Sequence, residues 1–157
     1  MLRVLQVDPT MEISFNHYQL TLKQMLYAAH PRYVINRQRS NYFPFIIVKD
    51  DEIIGAFALE RGDILIPINA PTTAICLRDL SFDRPHQKKG YFKQVIKAVE
   101  QYINRQDSSI TDLYVMVNVH NDDAYYAFIR AGFKDQQRTV KRLYTLKVLA
   151  KSIIQQS

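Results

Sequence analysis

The sequence predicts an α/β (α+β) domain in which a mixed sheet carries helices on both faces. Apolar, strand-like runs alternate with stretches of helical periodicity, in the order β, α, α, β, β, β, α, β, α, β. A hydrophobic fraction of 47% over 157 residues is enough for one packed core. Four glycines and six prolines are too few for a disordered or collagen-like chain.

The first half of the chain predicts a strand, two helical segments and a hairpin. These are a strand at Leu2–Val7, an amphipathic helix at Met11–Ala29, a short helix or ordered loop at Pro31–Asn41, and antiparallel strands at Phe43–Lys49 and Glu52–Leu59. Pro31 ends the first helix, because proline disfavours helical backbone angles in the residue before it. Asp50 and Asp51 form the turn of the hairpin.

The second half predicts three further strands and two helices. They are a strand at Thr72–Phe82, a helix at Tyr91–Arg105, a strand at Leu113–Val119, a helix capped by Asn121 that ends at Ala131 and Gly132, and a final strand at Val140–Val148. Ile64–Ile66 is at most a short strand. One domain is therefore expected over residues 1–148, with residues 149–157 as a C-terminal tail.

The stretch from Leu80 to Phe92 has the features of an anion-binding turn, because it joins an apolar strand to an amphipathic helix. The first N–H groups of a helix lack partners and the macrodipole favours negative charge there, so a phosphate can bind. Gly90 lets the backbone approach a ligand, and Lys88 and Lys89 add positive charge. Basic strand-to-helix turns that bind no ligand also occur in many α/β domains.

The net charge of +6 permits three classes of partner: nucleic acid, an anionic membrane surface or a polyanionic small ligand. The basic residues are dispersed and form no dense stripe, so neither nucleic acid nor a membrane is expected as the partner. No secretory signal and no run of 18 apolar residues is present, which predicts a soluble, cytoplasmic protein.

Cysteine and histidine usage argues against disulfide, thiol and metal chemistry. Cys76 is the single cysteine, and its apolar strand predicts a buried, inert thiol. The four histidines are scattered without ligand spacing, so no metal is expected.

Two motifs, in this order along the chain, resemble the GNAT superfamily of acetyl-CoA-dependent N-acetyltransferases. The first is Gln87-Lys88-Lys89-Gly90-Tyr91-Phe92 after a central strand, which is similar to the family's pyrophosphate loop, Arg/Gln-x-x-Gly-x-Gly/Ala. The second is Val117, Asn121, Ala124, Phe128, Gly132 and Phe133, at the spacing of the family's Val-x-x-x-Asn-x-x-Ala-x-x-x-Tyr-x-x-x-Gly-Phe. The resemblance covers about Leu2 to Val148. It implies a central mixed sheet of six to seven strands flanked by about four helices.

The resemblance also implies how acetyl-CoA would be held as co-substrate. The strands Thr72–Phe82 and Leu113–Val119 would run parallel and splay apart, and the acetyl-CoA would enter the gap between them. The residues implied in contact with it are Leu80 and Phe82 along the pantetheine arm, Gln87, Lys88, Lys89, Gly90, Tyr91 and Phe92 at the pyrophosphate, and Asn121 and Phe128 near the arm and the acetyl sulfur.

Two positions depart from the family pattern. Phe92 stands where the loop ends in Gly or Ala, which is tolerable because only its N–H is needed and its ring fits the apolar helix face. Phe128 stands where many members carry a tyrosine that protonates the leaving thiolate. Tyr125, three residues earlier on the same side of the helix, is the catalytic candidate in its place. The alternative is that Tyr125 only packs, since a thiolate can leave without assistance.

The implied reaction transfers the acetyl group of acetyl-CoA to a primary amine by direct attack in a ternary complex. Cys76 stands where members often place a glutamate, so the general base is open among Asp79, Glu60, His120 and water. A backbone N–H near Leu80 would stabilise the oxyanion. The alternative function is a GNAT-fold module that binds or senses acyl-CoA without turnover.

The acceptor is expected to be a small-molecule or peptide amine. In the family its identity depends on segments that correspond here to about Phe15–Asn41 and Lys134–Val148. Neither segment is conspicuously acidic, which argues against a polycationic acceptor. Family members often dimerise through their late strands, so a homodimer is possible.

Overall fold

Seven strands and three α-helices form in the part of the chain that the structure describes, namely residues 1–8, 10–15, 17–20, 29–37, 39–83, 85 and 90–153 of a computed structural model. The strands are β1 (Leu2–Gln6), β2 (Tyr42–Lys49), β3 (Glu52–Glu60), β4 (Ala74–Phe82), β5 (Asp112–Asn118), β6 (Lys134–Lys141) and β7 (Thr145–Ser152). The helices are α1 (Pro31–Ile35), α2 (Tyr91–Gln106) and α3 (Asp122–Arg130), with a 3₁₀ helix at Gly62–Leu65. None of these helices is both long and apolar enough to cross a bilayer.

The strands form one mixed sheet in the order β1-β2-β3-β4-β5-β7-β6. The strands β1 to β4 pair antiparallel, β4 and β5 pair parallel, and β7 pairs antiparallel with both β5 and β6. The β2–β3 hairpin turns at Asp50 and Asp51, whose φ angles are 51° and 66°. Positive φ at both central residues is the type I′ geometry that matches the twist of the strands. The predicted hairpin is confirmed.

The main core lies between the sheet and the helices α2 and α3. The rings of Phe45 and Phe57, on neighbouring strands, stack at 4.9 Å within this core. A second cluster, on the opposite face, packs the 3₁₀ helix and Ile68 against β4 and β5. The buried stripe of α2 is the one that helical spacing predicted: Val95, Ile96, Val99 and Ile103.

The predicted helix Met11–Ala29 is wrong over residues 11–15 and 17–20, which are not helical. Phe15 and Tyr18 are buried as a helix face would be, but they pack against β2. Gln19 N donates to Asp83 Oδ1 (2.8 Å), which ties the segment to the end of β4. The N–H of Gln19 thus donates to a carboxylate distant in sequence and not to a carbonyl within a helix. Tertiary contacts therefore override the helical propensity of this segment. Residues 21–28 of the predicted helix lie outside the described residues. The segment Ile64–Ile66 also differs, because it lies mostly in the 3₁₀ helix.

The single final strand predicted at Val140–Val148 is two strands in the structure. β6 begins at Lys134, the chain turns at Arg142–Tyr144, and β7 continues to Ser152, so the predicted tail begins inside a strand. β6 is polar and lies at the edge of the sheet, so it lacks the alternating apolar pattern by which a strand is predicted from sequence. The strand count still agrees with six to seven, and the described helices are one fewer than about four.

Candidate active site

A β-bulge interrupts β4 close to the middle of the sheet. Ala56 of β3 pairs with Ser81, whereas Ala58 pairs with Arg78, so Asp79 and Leu80 together face one residue of β3. Asp79 has φ +56°, a left-handed conformation that aspartate tolerates better than most residues. The bulge resets the alternation of side chains. Leu80 and Phe82 therefore pack towards the helical core, and Asp79 lies on the opposite face.

The strands β4 and β5 separate just before this bulge. Their parallel ladder runs from the pair Ala74–Asp112 to the pair Leu77–Val115 and stops there. β4 nevertheless continues to Phe82 and β5 to Asn118. The parallel pairing implied by the resemblance is confirmed, and the ladder leaves a gap beside the bulge.

The helix α2 begins at the end of β4 that carries this gap. Gly90 is its N-cap, with φ +78°, and a Cβ built on Gly90 meets no atom within 4 Å. The space over this helix start is therefore open, and the left-handed angle explains the glycine. Gln87, Lys88 and Lys89 lie outside the described residues. Tyr91 and Phe92 form the first turn of α2.

The helix α3 follows β5 and packs its inner face into the main core. Asn121 Oδ1 accepts a hydrogen bond from Ala124 N (3.3 Å), so the predicted N-cap is confirmed. Phe128 is only 5% exposed, and its ring packs edge-on against Phe92 (4.8 Å) and Phe133 (5.1 Å). Phe92 is partly buried and packs against the main core, as its fit to the apolar helix face predicted.

A polar network covers the opposite face of the sheet at the bulge. Tyr42 Oη donates to Asp79 Oδ2 (2.6 Å), and Arg37 Nη1 donates to the same oxygen (3.3 Å). Burial raises the pKa of Tyr42, and the hydrogen bond to Asp79 raises it further, so the phenol stays protonated and donates. The network was not predicted from sequence. An aspartate inside an otherwise apolar strand was the available signal.

A hydrogen bond between side chains ties the C-terminal end of β4 to the chain before α1. The hydroxyl groups of Tyr18 and Ser81 lie 2.9 Å apart, and Ser81 is 1% exposed. His30 Nε2 lies 3.1 Å from Tyr18 O, while its Nδ1 accepts from Arg32 N (3.2 Å) and caps α1. The chain before α1 is thus fastened both to β4 and to the helix.

Comparison with known proteins agrees with this geometry. A sequence model of the Acetyltransferase (GNAT) family matches residues 10–133, most of the chain. The protein belongs to the GNAT acetyltransferase family. A search of curated protein sequences finds no significant match.

Solved structures of other GNAT acetyltransferases share the fold. The ribosomal-protein-S18-alanine N-acetyltransferase of Escherichia coli aligns over 100% of this chain and 97% of its own, with a TM-score of 0.65 and 10% identity. A spermidine N-acetyltransferase chimera from Vibrio cholerae and hSSAT aligns over 96% and 94%, with a TM-score of 0.66 and 17% identity. The aminoglycoside acetyltransferase AAC(6')-Ib, solved with coenzyme A and kanamycin, aligns over 71% and 67%, with a TM-score of 0.62 and 18% identity.

The predicted base candidates of this GNAT acetyltransferase differ in their surroundings. Glu60 is buried, and its Oε1 accepts from both Arg39 Nη2 (2.8 Å) and Arg78 Nη1 (2.5 Å). This carboxylate is committed to two guanidinium groups and is poorly placed to take a proton. His120 is exposed in the turn after β5. Asp79 lies on the bulge itself, where its Oδ2 accepts from Tyr42 and from one guanidinium group, that of Arg37.

The thiol of Cys76 is inert, as the sequence predicted. Cys76 is 0% exposed, and burial raises the pKa of its thiol to about 12. A thiolate nucleophile at neutral pH is therefore excluded in this acetyltransferase. Within the described ranges, no three His, Cys, Asp or Glu side chains come together as a metal site would require.

Tyr125 lies on α3 with its hydroxyl directed away from β4. Its Oη donates to Asp135 Oδ2 on β6 (2.9 Å), and that hydrogen bond raises the pKa of Tyr125. Lys147 Nζ lies 4.3 Å from the centre of its ring. These contacts favour the alternative in which Tyr125 anchors α3 to the last strands. Its catalytic role stays a prediction.

The anchoring role can be measured by comparing Tyr125→Phe with Asp135→Asn. Tyr125→Phe removes the hydrogen bond, and Asp135→Asn keeps an acceptor but removes its charge, so each is expected to cost about 1 kcal/mol or less in unfolding free energy at this partly exposed site. We expect kcat to stay within about threefold of wild type in both, far less than the 10²–10⁴ that general acid catalysis contributes. A loss of kcat confined to Tyr125→Phe would instead identify the hydroxyl as the proton donor.

Proposed function

We propose that this GNAT acetyltransferase transfers the acetyl group of acetyl-CoA to a primary amine, by direct attack in a ternary complex. The supporting observation is the gap between β4 and β5, which opens at the bulge and adjoins the start of α2. Family membership supports the reaction class.

The residues around the gap fit acetyl-CoA. The open space over Gly90, in its left-handed conformation, is suited to a pyrophosphate approaching the amides of α2. In this proposal the amides from Gln87 to Phe92 hold the pyrophosphate, assisted by the charges of Lys88 and Lys89. The backbone of Leu80 and Phe82 pairs with the pantetheine arm, which Asn121 and Phe128 also approach. When bound, acetyl-CoA supplies an activated acetyl group as a thioester.

Chemistry would then occur at the bulge. The N–H of Leu80 is proposed to stabilise the negative charge that develops on the thioester oxygen. The amine nitrogen forms its bond to the carbonyl carbon, the C–S bond breaks, and the thiolate leaves. The proton released by the amine passes to Asp79, directly or through water. Most of the acceleration comes from holding amine and thioester together, which needs no covalent enzyme intermediate.

The first experiment is thermal and chemical unfolding with acetyl-CoA, CoA or ATP. Acetyl-CoA at 100 times its dissociation constant is expected to add about 2.7 kcal/mol to the unfolding free energy. CoA should act similarly and ATP much less, because ATP lacks the pantetheine arm. A well-folded protein that shows no shift with acetyl-CoA contradicts the proposal.

Amine-dependent release of free thiol then separates turnover from binding. One observation favours the non-catalytic alternative: Phe128 has no acidic proton, and Tyr125 donates its hydroxyl hydrogen bond to Asp135, so neither presents an acid to the gap. An acyl-CoA-binding module would show the thermal shift and no thiol release over a broad amine panel. We expect release, since a thiolate leaves without a protein acid.

A further inference from the structure

We propose that the acceptor amine carries an anionic group, a carboxylate or a phosphate, which Arg37 and Arg39 bind. The inference rests on the proposed function, because it names the class of acceptor for that same site. Its basis is a pair of guanidinium groups held over one tyrosine ring on the acceptor face of the bulge.

The acceptor must reach the bulge from the face opposite α2 and α3. These helices fill the first face with the main core, and the start of α2 on that side is the proposed pyrophosphate site. On the opposite face, the groups around Asp79 are the side chains of Tyr42 and Arg37. An amine that approaches the thioester therefore passes the arginine pair.

Both guanidinium groups lie close to the ring of Tyr42. The Arg37 guanidinium carbon lies 5.3 Å from the centre of the Tyr42 ring, and that of Arg39 lies 4.8 Å from the same centre. Tyr42 is 4% exposed, so its ring is a fixed platform for both. Two like charges near one ring repel each other, and an anion bound close to both would relieve that repulsion.

The neighbouring carboxylates do not neutralise the pair fully. The contact network holds three guanidinium groups and two carboxylates, because Arg78 joins Arg39 on Glu60. Glu60 Oε1 accepts from two arginines, and Asp79 Oδ2 accepts from Arg37 and Tyr42. The network thus carries one excess positive charge. A further carboxylate, Asp83, lies at the end of β4 and accepts from the chain before α1.

Both arginines retain donors and access for a ligand. Each guanidinium has five N–H groups. The described contacts use only Nη1 of Arg37 and Nη2 of Arg39. Their side chains are 33% and 44% exposed, compared with 20% for Arg78. Planar, forked donors bind carboxylate and phosphate in bidentate geometry, so the pair matches an anion better than a neutral or cationic acceptor.

The test measures acceptor binding to the CoA-saturated protein by calorimetry, so it does not depend on turnover. The probes are phosphoethanolamine with ethanolamine and β-alanine with β-alaninamide, two pairs that differ in the anionic group. We expect each anionic member to bind at least about tenfold more tightly than its partner, with affinity falling as salt rises. The two pairs distinguish a preference for phosphate from a preference for carboxylate. Equal binding within both pairs, or no binding by either anionic probe, overturns the inference.

The arginine pair is tested with Arg39→Gln, which can still donate an amide hydrogen bond to Glu60. We expect about tenfold weaker binding of the anionic probes and unchanged binding of their partners that lack the anionic group. Arg3→Gln is the matched control, since it removes one charge from an exposed ion pair on β1. An equal effect of both variants would reduce the result to net charge and contradict the pair's role.

The two proposals fail in distinguishable ways. Loss of the thermal shift with acetyl-CoA would remove the proposed function itself. A retained shift, together with a preference for neutral or cationic amines, would leave the acetyl-CoA site intact and overturn only the anionic acceptor.

Discussion

Gly55→Ala is expected to lower the stability of this acetyltransferase and its affinity for acetyl-CoA together. The added Cβ would lie 2.7 Å from Ser81 O and 2.8 Å from Ile47 Cδ1. The Ile47 side chain can rotate away, but the Ser81 carbonyl belongs to β4 and cannot move alone. Overpacking of this kind costs about 1–3 kcal/mol, which chemical denaturation would measure.

The functional consequence follows from where the clash falls. Gly55 pairs with Phe82, at the upper end of β4 beyond the bulge. Displacement of Ser81 moves the backbone that is proposed to bind the pantetheine arm, so the dissociation constant of acetyl-CoA should rise at least about tenfold, consistent with a loss of more than 1.4 kcal/mol. Binding calorimetry on the folded variant checks this.

Gly90→Ala is a companion variant at the other end of the proposed acetyl-CoA site. Its Cβ meets no atom within 4 Å, so the protein without ligand bears only the left-handed strain of φ +78°, about 1–2 kcal/mol. Both variants should weaken acetyl-CoA binding, but through different ends of the site. Gly55→Ala with wild-type stability and affinity would show that β4 can accommodate the methyl group, contrary to our expectation.

Asp79→Ala is expected to lower kcat by about a hundredfold, because a misplacement near 1 Å at a reacting centre has that effect. Alanine tolerates the left-handed angle of the bulge less well than aspartate. The change also leaves the buried hydroxyl of Tyr42 without its acceptor, which costs about 1–3 kcal/mol of stability. The Leu80 N–H, next in sequence, would then lose its orientation.

Asp79→Asn separates position from charge. The amide oxygen of asparagine can still accept from Tyr42, and asparagine tolerates the left-handed angle, so the bulge should persist. Because Asp79 is proposed to take the amine proton, we expect kcat of Asp79→Asn to fall as far as that of the alanine variant. An asparagine variant that retains most of kcat would show that Asp79 only holds the bulge.

Tyr42→Phe is the third variant of the network around Asp79. It removes the hydroxyl that donates to Asp79 and keeps the ring that lies near Arg37 and Arg39. For all three variants, assays of thiol release measure kcat, calorimetry measures the affinity for acetyl-CoA, and chemical denaturation measures stability. A folded Asp79→Ala variant with wild-type kcat would show that the bulge network does not position the reacting groups.

Elements with a local signal could be predicted from the chain. The apolar stripe of α2, the Asn121 cap of α3 and the hairpin at Asp50–Asp51 each depend on residues within one or two turns of one another. Two spaced motifs were enough to identify the family. Periodicity, capping and turn chemistry act over short distances, so they are visible without the fold.

Contacts between residues distant in sequence determine the elements that have no local signal. The segment at Phe15 and Tyr18 has a helical pattern but packs on β2, because Tyr18 and Gln19 find partners on β4. The bulge at Asp79 depends on its register with β3 and on Tyr42, neither of which is adjacent in sequence. The polar edge strand β6 appears only through its pairing with β7.

The contrast between local signals and contacts between distant residues also applies to the candidate active site. Sequence spacing placed Tyr125 beside Phe128 on one helix, but Asp135 on β6 determines where its hydroxyl points. Arg37 and Arg39 were visible as basic residues of the acceptor segment, yet only the fold brings both over the ring of Tyr42. The direction of these side chains depends on partners from other elements of the fold. The residues next to them in sequence do not specify those partners.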